Sequence, residues 1–196
     1  MVAGSASSRT CTARKGRWLL RALKGCREAG VDQIALLGDL FDRVEQADSC
    51  ARALAGWSVV GVWGNHEREI VLGAAEHGAL EADTVRLLTR LSELVVVEDV
   101  CLTHEAAHWG HTETFARLFG RAARDGSRGG HAHARITFAG HTHFRAARDE
   151  RGPLDVARGS LTLDPARRYL INPGALAAGQ YAVWDREVGV VRFLEV

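Results

Sequence analysis

Apolar residues recur along the chain in short blocks whose period switches between helix-like and strand-like. Residues 17–29, RWLLRALKGCREA, set Trp18, Leu19, Ala22, Leu23 and Cys26 at helical spacing, with Gly30 as the stop. QIALLGD (33–39) is a continuous apolar run ending in Gly-Asp, the pattern of a buried strand. EQADSCARALAG (45–56) returns to helical spacing through Ala47, Cys50, Ala51 and Leu54 and closes on Gly56. WSVVGVWGN (57–65) is a second buried strand. Helix, strand, helix and strand joined by short connections predict parallel α/β winding, which gathers ligands at the carboxyl ends of strands.

Residues 67–93 read as helix in two pieces, with Val85, Leu88 and Leu91 on one stripe. LVVVEDVCLTHE (94–105) is strand-like and predicts a tight hairpin. Residues 106–126 are amphipathic and partly helical in pattern, and Ser127-Arg128-Gly129-Gly130 is a break. QYAVWDREVGVVRFLEV (180–196) predicts an antiparallel hairpin about an Asp-Arg-Glu turn. Segments 105–133 and 144–169 read as loops, the expected carriers of substrate specificity.

Composition narrows the classes. The 196 residues are 46% hydrophobic and 25% charged, ordinary for one globular domain. A net charge of +1 argues against a polyanion partner such as nucleic acid and against a membrane surface. No apolar stretch approaches the ~18 residues of a spanning helix. Cys11, Cys26, Cys50 and Cys101 form no CxxC and read as reduced thiols of a cytoplasmic protein, Cys26 and Cys50 at helix core positions. Residues 1–16, rich in Ser, Ala and Arg, read as a degenerate or disordered leader, and 17–196 as a single domain.

The chemistry lies at the strand ends. Gly38-Asp39, Gly64-Asn65-His66-Glu67, Thr103-His104 and Gly140-His141-Thr142-His143 each follow an apolar run directly. In a parallel arrangement all of them converge on one edge. One Asp, one Asn and three His without a thiol suit Zn, Mn, Fe or a similar divalent ion and do not suit a structural zinc finger. His141 and His143, if extended, share one face and could each reach a different ion of a close pair.

GDLFD (38–42), GNHE (64–67), His104 after a strand and GHTH (140–143) resemble, in this order, the motifs of the calcineurin-like metallophosphoesterase family. INPGA (171–175) resembles the Asn-Pro-Gly strand end of its small bacterial phosphodiesterase-like members. The resemblance implies two mixed β-sheets packed face to face with flanking helices, a four-layer α/β sandwich. It also implies hydrolysis of phosphate mono- or diesters by direct attack of a metal-held hydroxide on phosphorus, with up to two ions drawn from Mn, Fe, Zn, Ni or Mg. Carried over by position, Asp39 would bridge both ions, Asn65, His104 and His141 would complete the second site, and His143 would belong to the first. His66 would protonate the leaving oxygen, and Asp42 would support the site. The partner implied is a phosphate-ester substrate.

The family's opening Asp-x-His, expected near residues 8–10, has no counterpart, since this stretch reads Ser7-Ser8-Arg9-Thr10-Cys11 and no Asp or His precedes Glu28. Three accounts follow: an altered or misassigned start; a centre that works with one well-held ion or borrows His108, His111, His131, His133 or Cys11; or a non-catalytic protein-interaction module on the same fold. Asp42-Arg43 with GNHE also fits a phosphoprotein or dinucleoside-polyphosphate phosphatase, in which Arg43, and less so Arg68, would hold substrate phosphate. Glu105 reads as an outward loop acid, Trp57, Trp63 and Trp184 as core, Trp109 as packing or a stacking surface, and Asn172 as a turn residue or loop cap.

Overall fold

The computed structural model describes residues 2–3, 12–68, 80–105 and 134–196. Two six-stranded sheets are formed. The first runs β3 (Ser58–Val62), β2 (Gln33–Leu37), β1 (Val2–Ala3), β11 (Gln180–Asp185), β12 (Val190–Glu195), β9 (Ser160–Thr162). The second runs β4 (Leu94–Val97), β5 (Val100–Thr103), β6 (Ile136–Ala139), β10 (Tyr169–Asn172), β7 (Ala146–Asp149), β8 (Gly152–Leu154). β1, β2 and β3 are mutually parallel, as are β5, β6 and β10, while the remaining ladders are antiparallel, so both sheets are mixed.

Alternation along the strands sorts side chains into two cores. Ile34 and Leu36 of β2, with Tyr181 and Val183 of β11, face the helices α1 (Thr12–Glu28), α2 (Val44–Leu54) and α3 (Ala82–Leu88). Leu37, Ala182, Val191 and Phe193 turn the other way and meet Leu102, Phe138 and Ile171 of the second sheet. The structure is thus the expected pair of mixed sheets face to face, with helices against the first. Among the described residues, no helix is long and apolar enough to cross a membrane.

α1 begins at Thr12, five residues ahead of the expected start. The predicted hydrophobic stripe starts only at Trp18, whereas Ala13, Arg14 and Lys15 are good helix formers that favour an earlier start. Its end is a Schellman cap: Val31 N donates to Cys26 O (2.9 Å), Gly30 N to Arg27 O (3.1 Å), and Gly30 takes the left-handed φ of 69° this requires. On α3 the buried residues are Thr84, Leu87 and Leu88, and Leu91 just beyond it is buried too, whereas Val85 is 45% exposed, so Leu88 and Leu91 of the predicted stripe face the core and Val85 does not. β1 and the start of α1 fall within the stretch that composition set apart as a leader. Trp57 and Trp63 pack against the helix-side core and Trp184 against the inter-sheet core. Cys26, Cys50 and Cys101 are buried and not disulfide-bonded, and burial pushes Cys101 up to about 11, keeping it protonated.

Segment 144–169 departs from its reading as loop. It contains β7, β8 and β9, hidden in the sequence because Arg, Asp and Pro interrupt any apolar run. Pro153 is tolerated because β8 is an edge strand, paired with β7 alone. Asp149 locks this region: its buried carboxylate accepts from Arg151 N (2.8 Å), Gly152 N (3.2 Å) and Arg167 Nη1 (2.9 Å). Burial pushes that carboxyl up, but the two amides and the Arg167 charge outweigh it, and its pKa is held below the ordinary value. A depressed carboxyl contributes stability above its unfolded pKa, and loses it as pH falls through the folded one. Asp149→Asn is therefore expected to lower stability by about 1–3 kcal/mol at pH 7. The gap to wild type should close as both are unfolded by denaturant at progressively lower pH; a gap independent of pH would contradict this.

At the amino ends of β2 and β3 the sheets part around a cavity of about 570 Å³, bordered by Ala35, Val60, Val97, Leu102 and Trp184.

Candidate metal centre

The carboxyl ends of β2, β3, β5 and β6 lie at the other end of the sandwich, and each delivers one polar group. Asp39 and Asn65 come from the first sheet, His104 and His141 from the second. His104 is buried, and its Nδ1 donates to the carbonyl of Leu37 at 2.7 Å. A carbonyl only accepts, so Nδ1 carries a proton, and in the neutral imidazole Nε2 is then the nitrogen with the lone pair. Around that lone pair stand Asn65 Oδ1 at 3.2 Å, His141 Nδ1 at 3.2 Å and Asp39 Oδ2 at 3.5 Å.

In that neutral form, acceptor oxygens are gathered about a nitrogen that has no proton to offer them. A cation resolves this. Donors held 2.0–2.1 Å from a tetrahedral ion are about 3.4 Å from one another, close to the spacings found here. A carboxylate, a carboxamide oxygen and two imidazoles match Zn, Mn, Fe or Ni in chemistry. Among the described residues, no three His, Cys, Asp or Glu side chains form a ready cage on their own; the carboxamide is an integral part of this cluster. The Leu37 carbonyl on the far nitrogen of His104 is the outer partner that metal-binding imidazoles use to fix ring and tautomer.

Three of the four non-glycine residues with positive φ among the described residues belong to the motifs: Asp39 (53°), His141 (62°) and His143 (63°). A left-handed L-residue costs about 1–2 kcal/mol, so the surrounding structure must impose it. This corrects the extended geometry expected for His141 and His143: the GHTH segment turns at both histidines. Asn172 holds that turn from beneath, donating from Nδ2 to Gly140 O (2.7 Å) and Thr142 Oγ1 (3.0 Å) and accepting from Gly174 N (2.9 Å). His143 follows in the same loop, half-buried.

His66 lies in the first helical turn after β3. Its backbone N donates to Asp39 Oδ1 at 3.1 Å, leaving Oδ2 to the cluster. Its Nδ1 lies 2.8 Å from Asp42 Oδ1, so the carboxylate accepts a hydrogen bond from Nδ1–H and orients the ring. The side chains of His66 and Asp42 are 26% and 17% exposed, open enough for His66 to meet a substrate. Gly64 has no freedom to carry a side chain: a Cβ there would stand 1.9 Å from Asp39 Oδ1 and 2.3 Å from its amide nitrogen. Arg43 precedes α2 and is exposed, as are Arg68 and Glu105. Cys11, His108, Trp109, His111, His131 and His133 lie outside the described residues.

Sequence reasoning passed over Glu67. It is 0% exposed and its carboxylate accepts from Asp39 N (2.6 Å), Gly64 N (2.8 Å), Leu40 N (2.5 Å) and Phe41 N (3.4 Å). Burial pushes its pKa up; the Gly64 amide pulls down, the Asp39 charge adds to the rise, and the net direction is upward. A signal existed. Arg68 N donates to Gly64 O, making Gly64 the N-cap, and Glu67 three residues on reaches back to its amide as in a capping box.

The family model of the Calcineurin-like phosphoesterase superfamily domain matches residues 10–183. An uncharacterized protein of Methanocaldococcus jannaschii is 25% identical over 171 residues, 79% of this chain and 68% of that one. In fold, the chain is similar to the crystal structure of a metallophosphoesterase from Sphaerobacter thermophilus, with a TM-score of 0.66 and 21% identity over 90% of this chain and 83% of that one.

Proposed function

The chain belongs to the calcineurin-like phosphoesterase superfamily, and from that premise we propose that it hydrolyses phosphate mono- or diesters with a divalent cation held by Asp39, Asn65, His104 and His141. The observation that carries this reading is the set of acceptors converging on His104 Nε2 at 3.2–3.5 Å. A bound cation supplies charge neutralisation at the phosphoryl oxygens and activation of the attacking water. The chain's own residues supply the rest. The Leu37 carbonyl keeps His104 in the tautomer that faces the cluster. Asp42 keeps His66 oriented, and His66 delivers a proton to the departing ester oxygen as the P–O bond breaks. Water supplies the new P–OH, and the alcohol leaves protonated. His143 and, at the rim, Arg43 contribute to the first ion and to substrate phosphate in the same reading.

The His66–Asp42 pair favours an enzyme over an interaction module on the same fold, because binding a protein partner requires no oriented imidazole beside a cation site. Purified protein is expected to release p-nitrophenol from bis-p-nitrophenyl phosphate with added Mn²⁺, to stop with EDTA and to recover with fresh Mn²⁺. No turnover of that diester or of p-nitrophenyl phosphate with Mn²⁺, Fe²⁺, Zn²⁺, Ni²⁺ or Mg²⁺ would favour the interaction module.

A further inference from the structure

The amide groups around Glu67 come from two different strand ends. Asp39, Leu40 and Phe41 follow β2, and Gly64 follows β3. These are the loops that carry the Asp39 and Asn65 side chains of the candidate centre. Oε2 takes the amides of Asp39 and Gly64, and Oε1 those of Leu40 and Phe41, so both oxygens are occupied and neither is left to touch a cation or a substrate. The same amide of Asp39 belongs to a residue held at φ 53°, a conformation that the Asp39 side chain cannot itself enforce. Four convergent N–H groups hold the backbone there, and they fix the separation of the two loops at the same time.

We propose that Glu67 is a positioning residue that sets the cation affinity of the centre through the backbones of the Asp39 and Asn65 loops. The inference rests on the proposed metal site. Glutamine is nearly the same shape but has one acceptor oxygen in place of two. In Glu67→Gln the carboxamide NH₂ faces two amide donors, and the loops must part. Aspartate keeps the charge and both acceptors but withdraws them by one methylene.

The test is Mn²⁺ titration calorimetry, together with the visible ligand-field spectrum of the Co²⁺-loaded protein, on wild type, E67Q and E67D. Each variant is first checked for a wild-type far-UV circular dichroism spectrum. E67Q is expected to bind Mn²⁺ about 10–100-fold more weakly, the range typical of lost outer-sphere support. Its Co²⁺ bands should shift, and E67D should fall between E67Q and wild type. A purely structural glutamate would lower the melting temperature of the metal-free protein and leave affinity and Co²⁺ bands unmoved, which would overturn the proposal. If E67Q does not fold, E67D read in the same way decides. Wild type that binds neither ion would remove the metal site and this inference together, whereas wild-type binding matched by the variants would remove only the role of Glu67.

Discussion

His104→Ala is expected to abolish stoichiometric cation binding, with affinity for Mn²⁺ falling by more than the 10–100-fold range that loss of an outer partner typically costs. The reason is positional. His104 Nε2 lies within 3.5 Å of Asn65 Oδ1, His141 Nδ1 and Asp39 Oδ2 alike. Removing the ring deletes a ligand and leaves the other three without their common neighbour. It also strips the Leu37 carbonyl of its donor, and a buried acceptor left unpaired costs about 1–3 kcal/mol. The variant should therefore melt at a lower temperature even without metal. Metal content after dialysis and calorimetric titration would check this; a variant that retains one Mn²⁺ per chain at wild-type affinity would refute the proposed ligand set.

His66→Ala should separate chemistry from binding. It is expected to keep the cation and to lose about 10²–10⁴ in turnover, the usual contribution of a general acid. The loss should depend on the leaving group. p-Nitrophenolate departs without much help from a proton, so an alkyl ester should suffer more than bis-p-nitrophenyl phosphate. Asp42→Asn replaces the charged acceptor at 2.8 Å from Nδ1 by a neutral carboxamide and should give a smaller loss with the same dependence. Equal losses on both ester types, or a loss of metal from His66→Ala to match that from His104→Ala, would take the proton-donor role away from His66.

Much of this was legible in the sequence. β2, β3, the β4–β5 hairpin and the β11–β12 hairpin follow from apolar runs and turns, because buried strands leave few polar positions to confuse them. Asp39, Asn65, His104 and His141 were legible as polar groups directly after such runs, and the structure brings these four together. The turning of the GHTH loop was not, since positive φ at Asp and His is imposed by tertiary contacts such as those of Glu67 and Asn172, not by local preference. Glu67 was legible only as the last residue of GNHE, without a role, because burial of a carboxylate depends on donors that only the fold assembles. β7 to β9 were hidden by their short length and polar content, and Val85 by a helix too short for its phase to be read from spacing alone.

The cavity between the sheets has a counterpart at the opposite end. There, Ser92, which leads into β4, exchanges backbone bonds with Gly61 and Trp63 of the first sheet, and His104 reaches across to Leu37. The two sheets are fastened near the strand termini that carry the reactive groups and left ajar at the opposite rim, like the jaws of a peg about its spring. A change of gap at the ajar rim would therefore displace Ala35, Val60, Val97, Leu102 and Trp184, none of which belongs to the candidate centre, while the tied strand ends keep their spacing.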